Sequence, residues 1–341
     1  MGVEFLQDEK EWDRWVEKEK EGRYVYLSGY LRALEETLSL PSFPLLYRSE
    51  GVIRSIFPVV LIRNLKGKRV FISLPFSEYG GPLGREGEEV LREEIIKIMK
   101  NLKVSHLEIH GGTGMREKEE YRSHPLQFRA LINLGEKDLK EIHAAMDRSV
   151  KKNLRRGREE GVLVERRKNI PLSIFYPLYL RTHKRLGSPP LPFLFFQRLN
   201  YYLSPHIRCV VAKYREKVIS LLLGWSVGSS LHVTHILSLP EFWHLRGNDL
   251  VHWEMLRWAR EEGKEIFDFG PARYEGQIRY KKKWGAVFLP YYYHYLPPDR
   301  EISPPQPGKG FWKTLSFLWR TCVPDFLSPS LGRIIRPRLG I

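Results

Sequence analysis

Apolar positions along this chain fall into short blocks whose spacing switches between a helical period and a strand period, and the whole alternation runs twice. KEWDRWVEKE (10–19) places Trp12, Trp15 and Val16 on one helical face, and SGYLRALEETL (28–38) repeats that spacing, with Ser28 expected as its N-cap. YVYL (24–27), between them, reads as a short strand. FPLLYRSEGVIRSIFPVVLIR (43–63) is two apolar runs around a polar turn at Ser49-Glu50-Gly51, a hairpin signature. RVFISLPF predicts a third strand leading into the loop SEYGGPLG. REGEEVLREEIIKIMKNL predicts an amphipathic helix, and VSHLEIH and LQFRALINL predict further strands.

The second half repeats this order. PLSIFYPLYLRTHKRL and PFLFFQRLNYYL predict helices, and residues 207–237 predict three strands turning at Arg215-Glu216-Lys217 and Gly228-Ser229. NDLVHWEMLRWAREEG has Leu250, Trp253, Leu256 and Ala259 at helical spacing, with Gly263 suited to its C-terminal cap. EIFDFG is then a strand, QIRYKKKWG a short helix and VFLPYYYHYL a last strand. LLYRSEGVIRSIFPVVL and VVAKYREKVISLLLGWS read as one hairpin written twice, about 165 residues apart. The expected fold class is therefore α/β (α+β): two tandem units, each a mixed, mainly antiparallel sheet flanked by helices. The boundaries expected are 1–140, 141–298 opened by a basic helix, and a tail of 299–341.

Charge sharpens this picture. The 341 residues carry a net charge of +16, and it is concentrated. Residues 147–168 hold nine cations against four acids, residues 279–283 hold four cations, and residues 301–341 hold six against two. Charge placed in blocks implies a polyanionic partner, such as nucleic acid, nucleotide phosphates or an anionic membrane surface; a lysine- and glutamate-rich surface of a heat-adapted protein is the bland alternative. The longest apolar runs fall short of the ~20 residues of a membrane span. With an acidic start and no apolar leader, the cytoplasm is the expected compartment, with contact at the inner face of the membrane. Cys209 and Cys322 are too few for a metal site, none is expected, and neither lies in a nucleophile motif.

Four stretches in this order resemble the FemAB-like branch of the GNAT superfamily, tandem-domain aminoacyl- and acyltransferases that include enzymes adding amino acids to peptidoglycan precursors. They are SLPFSEYGGPLG, MDRSVKKNLRRGREEGVLVE, NDLVHWEMLRWAREEGKEIFDFG and RYKKKWGA, and with the strands between them they span roughly residues 24–296. The resemblance implies two GNAT-like domains and direct acyl transfer to an amine, with no covalent enzyme intermediate and no bound cofactor. One turn departs from the GNAT pattern. Where a Gly-rich Arg/Gln-x-x-Gly-x-Gly/Ala turn cradles coenzyme A phosphates at a helix N-terminus, this chain has HLRGNDLVHW, with Arg246 and Gly247 but Asp249 in place of a second glycine. That weighs toward an aminoacyl-tRNA donor, with acyl-CoA as the alternative.

Candidate site residues follow. The family's Phe-Lys-x-x-aromatic-Gly pattern falls on Tyr280-Lys281-Lys282-Lys283-Trp284-Gly285, so the resemblance implies that Lys281 meets donor phosphate or the carbonyl under attack, with Tyr280 and Arg279 beside it. Asp268, at a strand end, either acts catalytically, orienting the acceptor amine or serving in proton transfer, or caps the turn that follows. Glu275, Glu78, Tyr79 and Arg246 are the remaining substrate-binding candidates. Lone His235 reads as a base or as a hydrogen-bonded strand histidine. HGGTGM (110–115) lacks a P-loop's lysine and reads as a strand exit. Lys151, Lys152, Arg155 and Arg156 share one face of the inter-domain helix, suited to tRNA or a membrane surface. The Pro/Gly stretch after residue 300 reads as a linker. The aromatic, cationic tail behind it is expected either on an anionic membrane or packed back on the protein. The function expected is N-acyltransfer of an aminoacyl group from aminoacyl-tRNA onto an amine of a cell-envelope precursor. Alternatives are an acyl-CoA-dependent enzyme of surface polysaccharide synthesis and a non-catalytic RNA- or membrane-binding adaptor.

Overall fold

The computed structural model describes residues 2–84, 86–111, 119–135, 137–298 and 310–340. Most of HGGTGM and nearly all of the Pro/Gly stretch lie outside these. In chain order the first elements are β1 (Gly2–Phe5), α1 (Glu9–Lys18), α2 (Ser28–Leu38), β2 (Ser42–Ser49), β3 (Val52–Arg63), β4 (Arg69–Ser73) and the short β5 (Leu83–Gly84). Then come α3 (Glu88–Asn101), β6 (Leu107–His110), β7 (Arg122–Asn133), α4 (Leu139–Ala144), α5 (Arg148–Glu159), β8 (Leu163–Arg167), α6 (Leu172–Leu186) and α7 (Phe193–Tyr202). The rest are β9 (Ile207–Tyr214), β10 (Lys217–Val227), β11 (Ser230–Ser238), α8 (Gly247–Glu261), β12 (Ile266–Ala272), α9 (Glu275–Lys282), β13 (Val287–Leu296), α10 (Gly310–Cys322) and α11 (Ser328–Leu339).

Two compact units result, and each draws on discontinuous chain. The first takes in Met1–Leu126, His183–Tyr202 and Tyr291–Ile341; the second takes in Gln127–Thr182 and Leu203–Pro290. The linear boundaries expected from sequence miss this interleaving. α7 and the tail both join the first unit, because α7 packs along α2 and α11 packs on β3.

Both units share one plan. In the first, the strand order is β1-β2-β3-β4-β6-β13, antiparallel except for β4 and β6, which run parallel at three register positions. In the second it is β7-β12-β11-β10-β9-β8, antiparallel except for β11 and β12. A helix links each parallel pair: α3 between β4 and β6, and α8 between β11 and β12. The two hairpins are equivalent in detail. β2 and β3 close through Glu50-Gly51, and β9 and β10 through Arg215-Glu216, two-residue turns with φ of 52° and 76°, and of 45° and 62°. Positive φ at both central residues marks a turn whose twist matches the flanking strands.

The cores follow from this layout. Leu45, Phe57, Phe71 and Leu107 from the first sheet close on Leu91 and Ile95 of α3. Val210, Leu222, Leu231 and Phe267 from the second close on Leu250, Val251, Met255 and Leu256 of α8. Each such side chain contributes about 1.5–3 kcal/mol of burial. Two local expectations differ from the structure. YVYL is a 3-10 turn, Tyr24–Tyr26, because all three side chains are buried and the Trp12 indole N–H donates to the Tyr26 carbonyl at 2.6 Å. Ser28 is a helical residue and not the N-cap; its amide and hydroxyl both donate to Asp13, at 2.7 and 2.8 Å.

The tail resolves into α10 and α11, docked on the first unit. Gly332 lies so close to Pro190 that a Cβ would stand 2.4 Å from its carbonyl oxygen. Arg336 donates to Ser188 Oγ at 2.9 Å and sits over the Phe76 ring. The Lys184 ammonium donates to the Trp319 carbonyl at 3.1 Å and to the Val323 carbonyl. Gly332→Val is therefore expected to lift α11 off. Limited proteolysis should then release the tail several-fold faster, with the unfolding midpoint of the second unit unchanged.

Candidate active site

The second unit contains a place where its sheet opens. β11 and β12 pair only at Ser230↔Ile266, Leu231↔Phe267 and His232↔Asp268, after which β11 continues to Ser238. β12 leaves the ladder through a register shift between Asp268 and Pro271, then pairs with β7 again at Pro271↔Arg129. Gly270 makes this bulge feasible. Its φ is +75°, and a Cβ there would meet the Val233 carbonyl at 3.0 Å.

Asp268 and Lys281 hold the bulge from two sides. Asp268 is fully buried; one carboxylate oxygen accepts the Gly270 amide at 3.0 Å and the other accepts Arg129 Nη2 at 3.2 Å. Lys281, also buried, donates to the carbonyls of Phe269, Gly270 and Pro271 at 2.5, 3.0 and 2.8 Å. An ammonium has three N–H donors, and here three carbonyls meet them. Its charge also lies over the Phe269 ring, 5.3 Å from the centroid. Of the two readings of Asp268, the cap of its own turn is the one its contacts display, with Arg129 as an added charge partner.

A second polar group lies at the start of α8. Arg246 is its N-cap, with φ +61°, and its guanidinium is half-buried. Asp249 turns inward: its carboxylate accepts the Tyr280 hydroxyl at 3.2 Å, and burial raises its pKa against the lowering pull of Tyr280, Arg246 and Asn153. Burial, then the Asp249 charge, push the Tyr280 phenol well above its ordinary range. His252 Nδ1 donates to the Asn248 carbonyl at 2.7 Å, 3.4 Å from the Tyr280 hydroxyl, and its ring touches Phe269, Tyr280 and Trp284. Burial pushes its pKa down to about 3, the Asn248 bond opposes this and nearby Lys281 adds to it, so the imidazole is neutral.

The structure thus brings Lys281, Asp268, Tyr280 and Arg246 onto neighbouring elements of one unit. Glu275 and Arg279, on α9, are exposed. Glu78 and Tyr79 belong to the first unit. There Tyr79 is buried, its ring 5.0 Å from the Arg23 guanidinium, and Glu78 is half-buried in the loop after β4. His235 makes a 3.0 Å contact with Thr234 Oγ1 and packs against Phe175 and Tyr179, as a structural strand histidine does. Sequence reasoning missed Arg129 and His252. Arg129 sits on an unremarkable strand, whereas His252 carried a signal, a polar residue amid the buried positions of α8. The chain offers no accessible thiol within this unit: Cys209 is buried, and burial pushes it up to about 12. The basic segments converge here as well. The Asp147 amide donates to the Lys283 carbonyl at 2.8 Å, placing the start of α5, with exposed Arg148 and Lys152, beside exposed Lys282 and Lys283 at the end of α9.

Lys281→Met would leave three carbonyls without their donor and is expected to cost about 2–4 kcal/mol in denaturant unfolding; Lys281→Arg should not restore it, since a planar fork cannot meet three converging carbonyls. A pH titration tests His252. Its unfolded pKa near 6.5 falls to about 3 on folding, so the unfolded chain binds the extra proton between those values. Stability should therefore fall as pH drops from 6.5 toward 3, while Asp249, with its raised pKa, acts in the opposite direction above 3.8. His252→Gln should flatten the decline, read as the urea midpoint against pH.

Comparison with known proteins agrees with this architecture. The Acetyltransferase (GNAT) domain family matches residues 144–282, which include Asp268, Lys281 and the polar group at the start of α8 but not Arg129. Among curated proteins none matches the sequence. Solved structures similar in fold include FemX (14% identity, 87% of this chain and 98% of that chain, TM-score 0.71). L-PGS from Bacillus licheniformis is another (16%, 99% and 98%, 0.58). A third is a tandem GNAT protein from the clavulanic acid biosynthesis pathway (12%, 88% and 100%, 0.54). These likenesses are of fold. Residues 144–282 therefore carry a GNAT acetyltransferase domain, and the fold of the chain is similar to that of tandem GNAT structures.

Proposed function

We propose that the protein transfers an aminoacyl group from aminoacyl-tRNA to an amine of a cell-envelope precursor by direct attack. The observation that carries this reading is the opening between β11 and β12 beside a rigidly held bulge, inside the GNAT domain. Where β11 runs on past His232 without β12, its main-chain groups on that side become available to an extended ligand and to the oxygen of a carbonyl under attack, those of the β12 bulge being held by Asp268 and Lys281. The amine lone pair adds to the ester carbonyl, the tetrahedral adduct expels the ribose oxygen, and the proton lost by nitrogen ends on that oxygen. Nothing in this step needs a protein nucleophile, in keeping with the buried, protonated Cys209.

Lys281 and Asp268 act in this scheme as positioning residues that fix the shape of β12. Tyr280 and Arg246 shape the start of α8, and Glu275 and Arg279 stand at the exposed end toward the donor. Asp249 supports tRNA over coenzyme A, because a carboxylate within the first turn of α8 opposes a pyrophosphate at that helix end. Arg148, Lys152, Lys282 and Lys283 add a cationic surface suited to an RNA backbone. FemX and L-PGS among the fold relatives also favour an aminoacyl donor and an envelope acceptor. The second reading, an acyl-CoA donor, is favoured by the GNAT family match itself.

The test supplies charged tRNAs, acyl-CoAs and amine-bearing muropeptide precursors and follows label to the precursor. Transfer from tRNA is expected. The triple variant Lys152→Glu/Lys282→Glu/Lys283→Glu should lower kcat/KM for tRNA about tenfold or more and reduce the salt dependence by roughly two to three phosphate contacts. Its thermal midpoint should stay near that of the parent. Transfer from acyl-CoA alone would replace the first reading with the second, and transfer from neither donor would overturn both.

A further inference from the structure

The docked tail leaves one face uncovered. On α10 the exposed residues include Lys313, Thr314, Phe317, Leu318, Thr321 and Cys322, at the i, i+1, i+4, i+5 spacing of a single helical face. On α11 they are Ser330, Arg333, Ile334 and Arg338, at i, i+3, i+4 and i+8. The corner between the helices carries Phe326, 78% exposed, and Leu327, 40% exposed. Phe317, Leu318 and Ile334 are each about half exposed as well, so five large apolar side chains lie in water within 18 residues. The opposite sides of both helices are the ones that close on the first unit, through Trp319, Gly332 and Arg336. Water therefore meets the apolar stripe of two helices already anchored from behind, and packing among the described residues does not account for it.

Charge identifies what covers this face. Lys313, Arg320, Arg333 and Arg338 are all exposed, and the acid among the described tail residues, Asp325, lies 3.7 Å from the Lys184 ammonium. Cations bordering exposed aromatic and aliphatic side chains match the boundary of an anionic bilayer, where acyl chains take the apolar groups and lipid phosphates take the charges. Length excludes a span. Helices of 13 and 12 residues rise about 20 and 18 Å, against a hydrocarbon core of about 30 Å, and among the described residues no helix is long and apolar enough to cross.

We propose that α10, the corner at Phe326 and α11 form an interfacial anchor that lays the first unit on an anionic lipid surface, with Phe317, Leu318, Phe326 and Leu327 entering the acyl boundary. This holds whichever acyl donor the second unit uses.

The experiment is vesicle sedimentation of the full chain, with phosphatidylcholine vesicles compared with vesicles carrying about a third phosphatidylglycerol. The protein is expected to pellet with the anionic vesicles at least tenfold more tightly than with the neutral ones. Phe317→Ser/Phe326→Ser should weaken this binding about tenfold at any salt concentration, and Arg320→Glu/Arg333→Glu should weaken it most at low salt. Neither pair should change the unfolding midpoint, since all four side chains face outward. The inference is overturned if anionic vesicles fail to bind the protein, or if the phenylalanine pair leaves binding intact. It is overturned equally if sedimentation velocity finds a dimer that the phenylalanine pair dissolves, which would make a second copy the occupant, or if RNA and not lipid protects Cys322 from alkylation.

Discussion

The four-residue bulge from Asp268 to Pro271 is the constraint on which the second unit depends. A strand that leaves its ladder exposes amides and carbonyls that water or protein must satisfy. Here the two halves of that requirement are met by opposite charges. Asp268 takes the amide of Gly270, and Lys281 takes three successive carbonyls. The carboxylate and the ammonium grip one stretch of backbone from its two sides. Arg129 balances the acid. The opening between β11 and β12 is thus a fixed feature of the fold, and α9 is tied to β12 by a side chain as well as by the chain itself.

The same economy governs the start of α8. Asp249, Tyr280 and His252 form a compact polar group within an aromatic enclosure of Phe269 and Trp284. The neutral histidine and the shielded phenol lie 3.4 Å apart and pack against Phe269 and Trp284. Through these contacts α8, α9 and β12 are tied to one another.

Much of the fold was legible because each unit repeats strong local signals. Glu50-Gly51 and Arg215-Glu216 announced equivalent hairpins, and Gly263, with φ +69° just past α8, ended that helix where expected. The apolar spacing of 248–259 gave α8 its buried face. Contacts between distant residues were not legible. Periodicity says which face of an element is buried, not what it is buried against. Nothing local pairs Lys281 with carbonyls ten to twelve positions earlier, or Asp249 with Tyr280. YVYL has the composition of a strand, but the Trp12 indole and its own burial wind it into a turn. The interleaving of the units was not legible for a similar reason, since α7 and the tail join the first unit across intervening segments of the second.

The two cysteines occupy opposite extremes. Cys209 is sealed in a central strand with its thiol held protonated, while Cys322 stands exposed at the end of α10, one turn beyond Leu318. A maleimide at neutral pH would thus modify one position in the native chain, with no engineering required. The label would sit on the outward face of the tail, where a polarity-sensitive dye or a spin probe would report local dielectric and depth. The protein carries its own attachment point for a spectroscopic reporter.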